Sequence, residues 1–325
     1  MVEPLGLREL VIGTRGSSLA VRQAQWVAAR VREIWPDCSA RLKRVVTHGD
    51  RDRRTSLSQL GRVGVFTGEL EDALRSGEVT VAVHSMKDLP SVPAPDVAIA
   101  AVPERGDPRD VLVSCGGERL AQLPPGAVVG TGSLRRQALV RQLRPDLRVA
   151  DLRGNLDTRL KKVRDGVVDA AILAAAGLLR LGREAEISEY LDPERFVPAA
   201  GQGALAVQTR ARDHELTALL AALSNSQAAS AVSAERAFLA RLQGGCQVPM
   251  GAYAAYDAAT ATLRLCGFVA TLDGMRIVRE VAEGGADEAE ALGQRLAERL
   301  IAAGANEILE QVRRKAAEEG TGARQ

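Results

Sequence analysis

Glu9-Leu-Val-Ile-Gly-Thr14-Arg15-Gly16-Ser17 runs straight into residues 18–34, and the pattern changes from strand to helix between the two pieces. The first six residues form a short apolar run of strand length, whereas 18–34 repeats its apolar positions at helical spacing. The same alternation recurs further along the chain. A strand near 41–46, a helix near 68–76, the run Val79-Thr-Val-Ala-Val-His84 and a strand at 97–102 follow in turn. Strands separated by helices are βαβ units, and they predict a mainly parallel sheet.

Pro103, Gly106 and Pro108 interrupt the pattern around 103–110. It resumes with strands at 111–114 and 127–130, a helix from Ser133, a strand at 149–152, a helix from Asn155 and a strand at 170–175. That is a second lobe of similar size, and 203–209 reads as one more strand able to return to the first. From about 226 a helix to 242 is broken by Gly244-Gly245. Strands at 251–256, 262–270 and 276–281 follow, the last two joined by the turn Leu272-Asp273-Gly274. Helices near 286–303 and 305–317 close the chain. The expected class is α/β: two doubly wound lobes, 1–103 with 203–223 and 108–199, then an α+β domain with an antiparallel sheet at 226–318. A frayed polar tail is expected at 319–325.

Composition removes several function classes. The 325 residues carry 43 Lys and Arg against 41 Asp and Glu, a net charge of only +2. A bulk nucleic-acid binder has a clear basic excess, and nine aromatics leave little for base stacking. No apolar run approaches the roughly 18 residues of a membrane span. Met-Val-Glu-Pro-Leu-Gly lacks the n- and h-regions of a signal peptide, so the expectation is a cytoplasmic protein. Cys38, Cys115, Cys246 and Cys266 show no metal-ligand spacing, so no metal site is expected. Among the cations the bias is steep: five Lys against 38 Arg. Arg suits bidentate recognition of carboxylate or phosphate, although a GC-rich genome gives the same bias.

Placement is more informative than the count. Helix N-termini favour anions and disfavour cations. Three predicted strand-to-helix turns break that preference: Arg15 beside Ser17, Arg135 and Arg136 after Ser133, and Arg153 and Arg159 around Asn155. Open α/β sheets bind ligands at the carboxyl ends of their strands, where these turns fall. Glycine turns, helix starts and arginines together make anion sites, and three across two lobes point to a polyanion held between them. The plainer reading, arginines paired with acidic neighbours or with water, fits any one turn alone.

Val83-His84-Ser85-Met86-Lys87-Asp88 sets a rare lysine beside an aspartate at a strand end. Asp88 suits proton handling or stabilisation of a cation, and Lys87 an anion. His84 reads as a strand-end histidine with its polar atoms satisfied. Cys266 lies in a strand pattern and reads as a buried hydrophobe, whereas Cys246, in Gly244-Gly-Cys-Gln-Val-Pro249, is the thiol open to covalent chemistry. Gly201-Gln-Gly-Ala-Leu-Ala206 imitates a dinucleotide fingerprint, but its strand follows rather than precedes it, and 61–68 lacks the Walker ending.

Taken together, Thr14-Arg-Gly-Ser-Ser-Leu-Ala20, Ala82-Val-His-Ser-Met-Lys-Asp88, Gly130-Thr-Gly-Ser-Leu-Arg-Arg-Gln137, Arg153-Gly-Asn155, Gly201-Gln-Gly-Ala204 and Gly244-Gly-Cys-Gln-Val-Pro249 resemble, in the same order, the porphobilinogen deaminase family. The resemblance covers about residues 10–310. It implies lobes like those of type II periplasmic binding proteins and a third domain carrying a cofactor cysteine. It further implies that four porphobilinogen molecules are joined with loss of ammonia, on a dipyrromethane cofactor thioether-linked to Cys246, before water releases hydroxymethylbilane. Each pyrrole carries an acetate and a propionate. By resemblance Ser133, Arg135, Arg136 and Lys87 hold the cofactor, and Arg15, Ser17, Arg153, Arg159 and Arg180 bind substrate. Asp88 is then the catalytic carboxylate, facing pyrrole N–H groups and the cations that form as ammonia leaves. A monomer is implied. The chain departs from the family at Gln59-Leu-Gly-Arg62-Val63-Gly64, where lysines are usual. A two-lobed anion-binding protein would share the fold, but gives the Gly-Gly-Cys loop no role. A zinc deaminase would need H-x-E and P-C-x-x-C, and neither occurs.

Overall fold

The computed structural model describes residues 9–46, 67–243 and 248–322. They gather into two compact units, one of 9–46, 67–105 and Ala204–Ala229, the other of Gly106–Gly203 with the described residues from 230 onward. The first unit begins with β1 (Glu9–Thr14), α1 (Ser18–Ile34), β2 (Ser39–Arg44), α2 (Gly68–Arg75), β3 (Val81–Ser85) and β4 (Val97–Ala101). Alternate residues of β1 go to opposite faces. Leu10 and Ile12 pack with Ala24, Val27 and Val31 of α1, while Val11 packs with Leu70 and Leu74 of α2. Both faces of the sheet are therefore covered at its centre, which is why β1 and β3 are apolar over most of their length, whereas the edge strand β2, Ser-Ala-Arg-Leu-Lys-Arg, alternates.

The chain then enters the second unit with β5 (Asp110–Ser114), β6 (Val128–Gly130), α3 (Leu134–Leu143), β7 (Arg148–Ala150), α4 (Leu156–Arg164), β8 (Ala170–Ala174), α5 (Ala175–Arg180) and β9 (Glu189–Tyr190). It returns to the first through β10 (Leu205–Arg210) and α6 (His214–Leu220). The sheet orders are β2-β1-β3-β10-β4 and β7-β6-β8-β5-β9. In each, four strands run one way and a fifth is reversed. β10 pairs antiparallel with β3 and β4, and β5 with β8 and β9. The sheets are thus mixed, not simply parallel. Each reversed strand is the one that enters its sheet on a crossing between units rather than through a helical crossover, so the handed βαβ connection does not fix its direction.

After α7 (Ser226–Arg241) come β11 (Met250–Asp257), β12 (Thr262–Ala270), β13 (Ile277–Gly285), α8 (Ala289–Ala302) and α9 (Ala305–Gly322). The three strands form an antiparallel sheet. Leu263 and Leu265 pack under Phe238, Leu292, Leu296 and Ile308, while Cys266, Phe268 and Ala270 join the core around Leu112, Leu139 and Ile172. Cys266 is buried as expected, and burial pushes its thiol pKa up. Three elements escaped the sequence reading. α5 continues the apolar run of β8 with no polar break, so periodicity cannot separate them, and β9 and α6 are two and seven residues long.

Candidate anion-binding site

In the first unit two turns lie at the carboxyl ends of neighbouring strands, since β1 pairs directly with β3. After β1, Thr14 is buried and its hydroxyl donates to the Ala20 carbonyl at 2.9 Å, folding the turn onto α1. Ser17 is the N-cap, its Oγ accepting from the Ala20 N–H at 3.3 Å. The first turn of α1 has no acidic residue, and Arg15 sits half-buried just before it. After β3 the chain makes a single 3₁₀ turn, Met86–Asp88. Met86 is buried and its N–H donates to the Ala204 carbonyl at 3.0 Å, so this anchor presents Lys87 half-buried and Asp88 exposed. Ser85, on the opposite face from His84, accepts from the Gln23 amide at 2.9 Å.

In the second unit β6 lies between β7 and β8, so the turns after all three strands adjoin. Ser133 and Asn155 cap α3 and α4, accepting from the N–H groups of Arg136 and Thr158. Arg153 pairs with Asp151, and Arg159 Nε donates to the Gly154 carbonyl at 2.9 Å. Arg180 Nη2 donates to the Gly203 carbonyl at 2.6 Å, and burial pulls its pKa down to about 10. Arg135 and Arg136 are buried to 4% and 6% exposure around one carboxylate. Asp110 Oδ2 accepts from Arg135 Nη1 at 2.7 Å and Oδ1 from Arg136 Nη2 at 2.7 Å. Burial alone would raise the Asp110 pKa, but the two guanidinium charges outweigh it and hold it at about 2. The remaining anchors are the Val197 carbonyl for Arg135 and the Ile172 carbonyl for Arg136.

Every candidate described thus lies at the carboxyl edge of a sheet, in two sets, one per unit. Cys246 and the lysine-free run 59–64 lie outside the described residues. Among the described residues no group of three His, Cys, Asp or Glu is placed to hold a metal ion, and no helix is long and apolar enough to cross a membrane.

Sequence reasoning missed Asp110, whose signal was a carboxylate opening an otherwise apolar strand, and it gave Gln202 no role, although Gly201-Gln-Gly-Ala204 is among the motifs of the resemblance. That turn brings the fully buried Gln202 amide onto Asp110. It also missed Glu235, a buried carboxylate on α7 that accepts from the Gly201 and Ala254 N–H groups at 2.6 and 2.8 Å. His84 is a correction: it is buried, and its Nε2 has no hydrogen-bond partner among the described residues. Burial, with the Arg15 charge adding to it, pushes the His84 pKa down to about 4, and the neighbouring Gln208 amide pulls the other way.

Because the folded state resists protonating His84, the unfolded chain binds more protons between about pH 4 and 6.5. Stability therefore rises with pH across that window, by about 3 kcal/mol. Urea unfolding of His84→Gln at pH 4.5 and 7 is expected to lose most of this difference; an unchanged slope would place the titration elsewhere.

Two family models match the chain: "Porphobilinogen deaminase, dipyromethane cofactor binding domain" over residues 10–218 and "Porphobilinogen deaminase, C-terminal domain" over 229–302. The porphobilinogen deaminase of Pelotomaculum thermopropionicum is 47% identical over 308 residues, covering 95% of this chain and 98% of that one. That of Roseiflexus castenholzii is 48% identical over 300 residues, covering 92% and 98%. Among solved structures, the periplasmic VFT2 domain of Bordetella pertussis BvgS aligns over 70% of this chain and 93% of its own, at 15% identity and a TM-score of 0.41. Matched by one family model over residues 10–218 and the other over 229–302, and by relatives nearly half identical along almost its whole length, the chain belongs to the porphobilinogen deaminase family.

Proposed function

We infer that this chain joins four porphobilinogen molecules head to tail, each losing ammonia, and releases hydroxymethylbilane by hydrolysis, a transferase step of tetrapyrrole biosynthesis. The observation that carries the reading into chemistry is the gathering of cationic side chains and capped helix starts at the strand ends of each unit, with the exposed carboxylate of Asp88 in the first. The donor set fits a dipyrromethane group, whose acetate and propionate arms require cations and N–H donors. Ser133, Arg135 and Arg136 in the second unit, and Lys87 with Asp88 in the first, are the residues that would hold it, with Cys246 as its attachment point. When bound, that group supplies the pyrrole carbon to which the first substrate is joined.

Arg15 and Ser17, with Arg153, Arg159 and Arg180, are assigned to substrate and chain carboxylates, as bidentate or helix-start donors. Asp88 is assigned to the pyrrole N–H groups. Its negative charge stabilises the cation left when ammonia departs, and it takes the proton released when the new carbon–carbon bond is complete. Residues 226–318 are taken as a third domain carrying Cys246. The proposed setting is a monomer in the cytoplasm, contributing to haem or related tetrapyrroles, with porphobilinogen its small-molecule partner and neither nucleic acid nor membrane involved.

The test is the intact mass of the purified protein against Cys246→Ser. The expected result is an excess of two pyrrole units in the native chain and none in the variant. A native chain of bare sequence mass that gains nothing from porphobilinogen would instead indicate an anion-binding protein on the same scaffold.

A further inference from the structure

We propose that Gln202 is a positioning residue for the two buried arginines, fixing Asp110 against Arg135 and Arg136 in the arrangement that meets a ligand carboxylate. The inference deepens the proposed function and rests on it. Gln202 Nε2 donates to Asp110 Oδ1 at 2.9 Å and to the Pro108 carbonyl at 2.8 Å. Its Oε1 faces Arg136 Nη2 at 3.4 Å. A carboxamide is suited to this place because one rigid plane both donates to a carboxylate and accepts from a guanidinium. An aliphatic side chain does neither, and a carboxylate would oppose Asp110.

The backbone on either side leaves Gln202 little freedom. The Gly201 N–H is held by Glu235 at 2.6 Å. The Gly203 carbonyl accepts from the Gly106 N–H at 3.1 Å and from Arg180 at 2.6 Å. Gly203 has φ +87°, and a Cβ there would stand 2.3 Å from the Gly106 carbonyl oxygen. Three consecutive residues thus tie α7, the two arginines and Arg180 to one turn. Two guanidiniums sharing one carboxylate are costly to bury for stability alone. A neutral amide as the third member leaves the cluster cationic, as recognition of an anion requires.

The experiment follows loading of cofactor-free, full-length protein by intact mass during incubation with porphobilinogen, beside the melting temperature of each variant. Gln202→Leu is expected to melt within a few degrees of the native chain and load about tenfold to a hundredfold more slowly, as a small misplacement of binding groups does. Gln202→Glu separates positioning from packing. Protonated, its carboxyl keeps an O–H donor toward Asp110; ionised, it repels it. Loading of this variant is expected to approach the native rate at pH 5.5 and to fall at least tenfold relative to it by pH 8. Native loading by Gln202→Leu would overturn the inference, as would a Gln202→Glu deficit that is the same at both pH values. If the native chain itself gains no mass, the proposed function fails, and the inference with it.

Discussion

Asp88→Asn folds as the native chain does and turns over at least about a hundredfold to a thousandfold more slowly, the loss typical when one preorganised electrostatic group is removed from a reacting centre. The fold is spared because Asp88 is exposed at the end of a 3₁₀ turn whose position is set by other atoms, the buried Met86 side chain and its N–H bond to Ala204. Surface changes of this kind shift stability by no more than about 0.5 kcal/mol. The amide keeps the shape and loses the charge, so what disappears is attraction for a developing cation and a place for a proton. Product formation from porphobilinogen, measured beside the melting curve, checks both halves. An Asp88→Asn enzyme keeping more than a tenth of native turnover would remove Asp88 from the assigned role.

The second large effect falls on stability. Asp110→Asn leaves two buried guanidiniums without a counter-charge, and breaking a buried pair by removing one partner costs about 3–5 kcal/mol. That is a large share of the roughly 5–15 kcal/mol by which a protein is stable. The same carboxylate sets an acid limit. Its pKa of about 2 lies below the ordinary 3.8, so its contribution is complete above about pH 4 and is lost as pH falls toward 2. The variant is expected to unfold at markedly lower urea and to lack that acid slope. Native-like urea midpoints would mean the arginines find other partners.

The covered faces of the sheets were legible because burial on both sides demands continuous apolar strands, and β1 with α1 states that pattern plainly. Two helix caps were legible too: Ser133 and Asn155 stand where their oxygens meet free N–H groups, whereas Ser17 entered only through the resemblance. What periodicity could not supply was direction and distance. Nothing in Leu205–Arg210 says that it runs against β3, because an apolar strand reads alike both ways. Nor could sequence join Asp110 to Arg136 and Gln202, separated by 26 and 92 positions. Arg135 and Arg136 stood out as cations at a helix start; their carboxylate did not, since its partners come from elsewhere in the chain. Gly201-Gln202-Gly203 is legible as a motif of the resemblance and not as a nucleotide loop, but nothing in its sequence says that Gly203 serves a close backbone crossing.

The place of β10 sets a condition on synthesis. β3 and β4 are not neighbours; β10 lies between them, and it leaves the ribosome about a hundred residues after β4. At roughly 5–20 residues per second that is a wait of about 5–20 seconds. During it only β2-β1-β3 of this sheet can form, with the inner edge of β3 unpaired and β4 without a partner. An open, apolar strand edge is a template for unwanted pairing, so the nascent chain is most exposed to aggregation between the birth of β4 and the arrival of β10. Ribosome-stalled chains ending near residue 190 are expected to be protease-sensitive and chaperone-bound, and those extending past residue 250 protected.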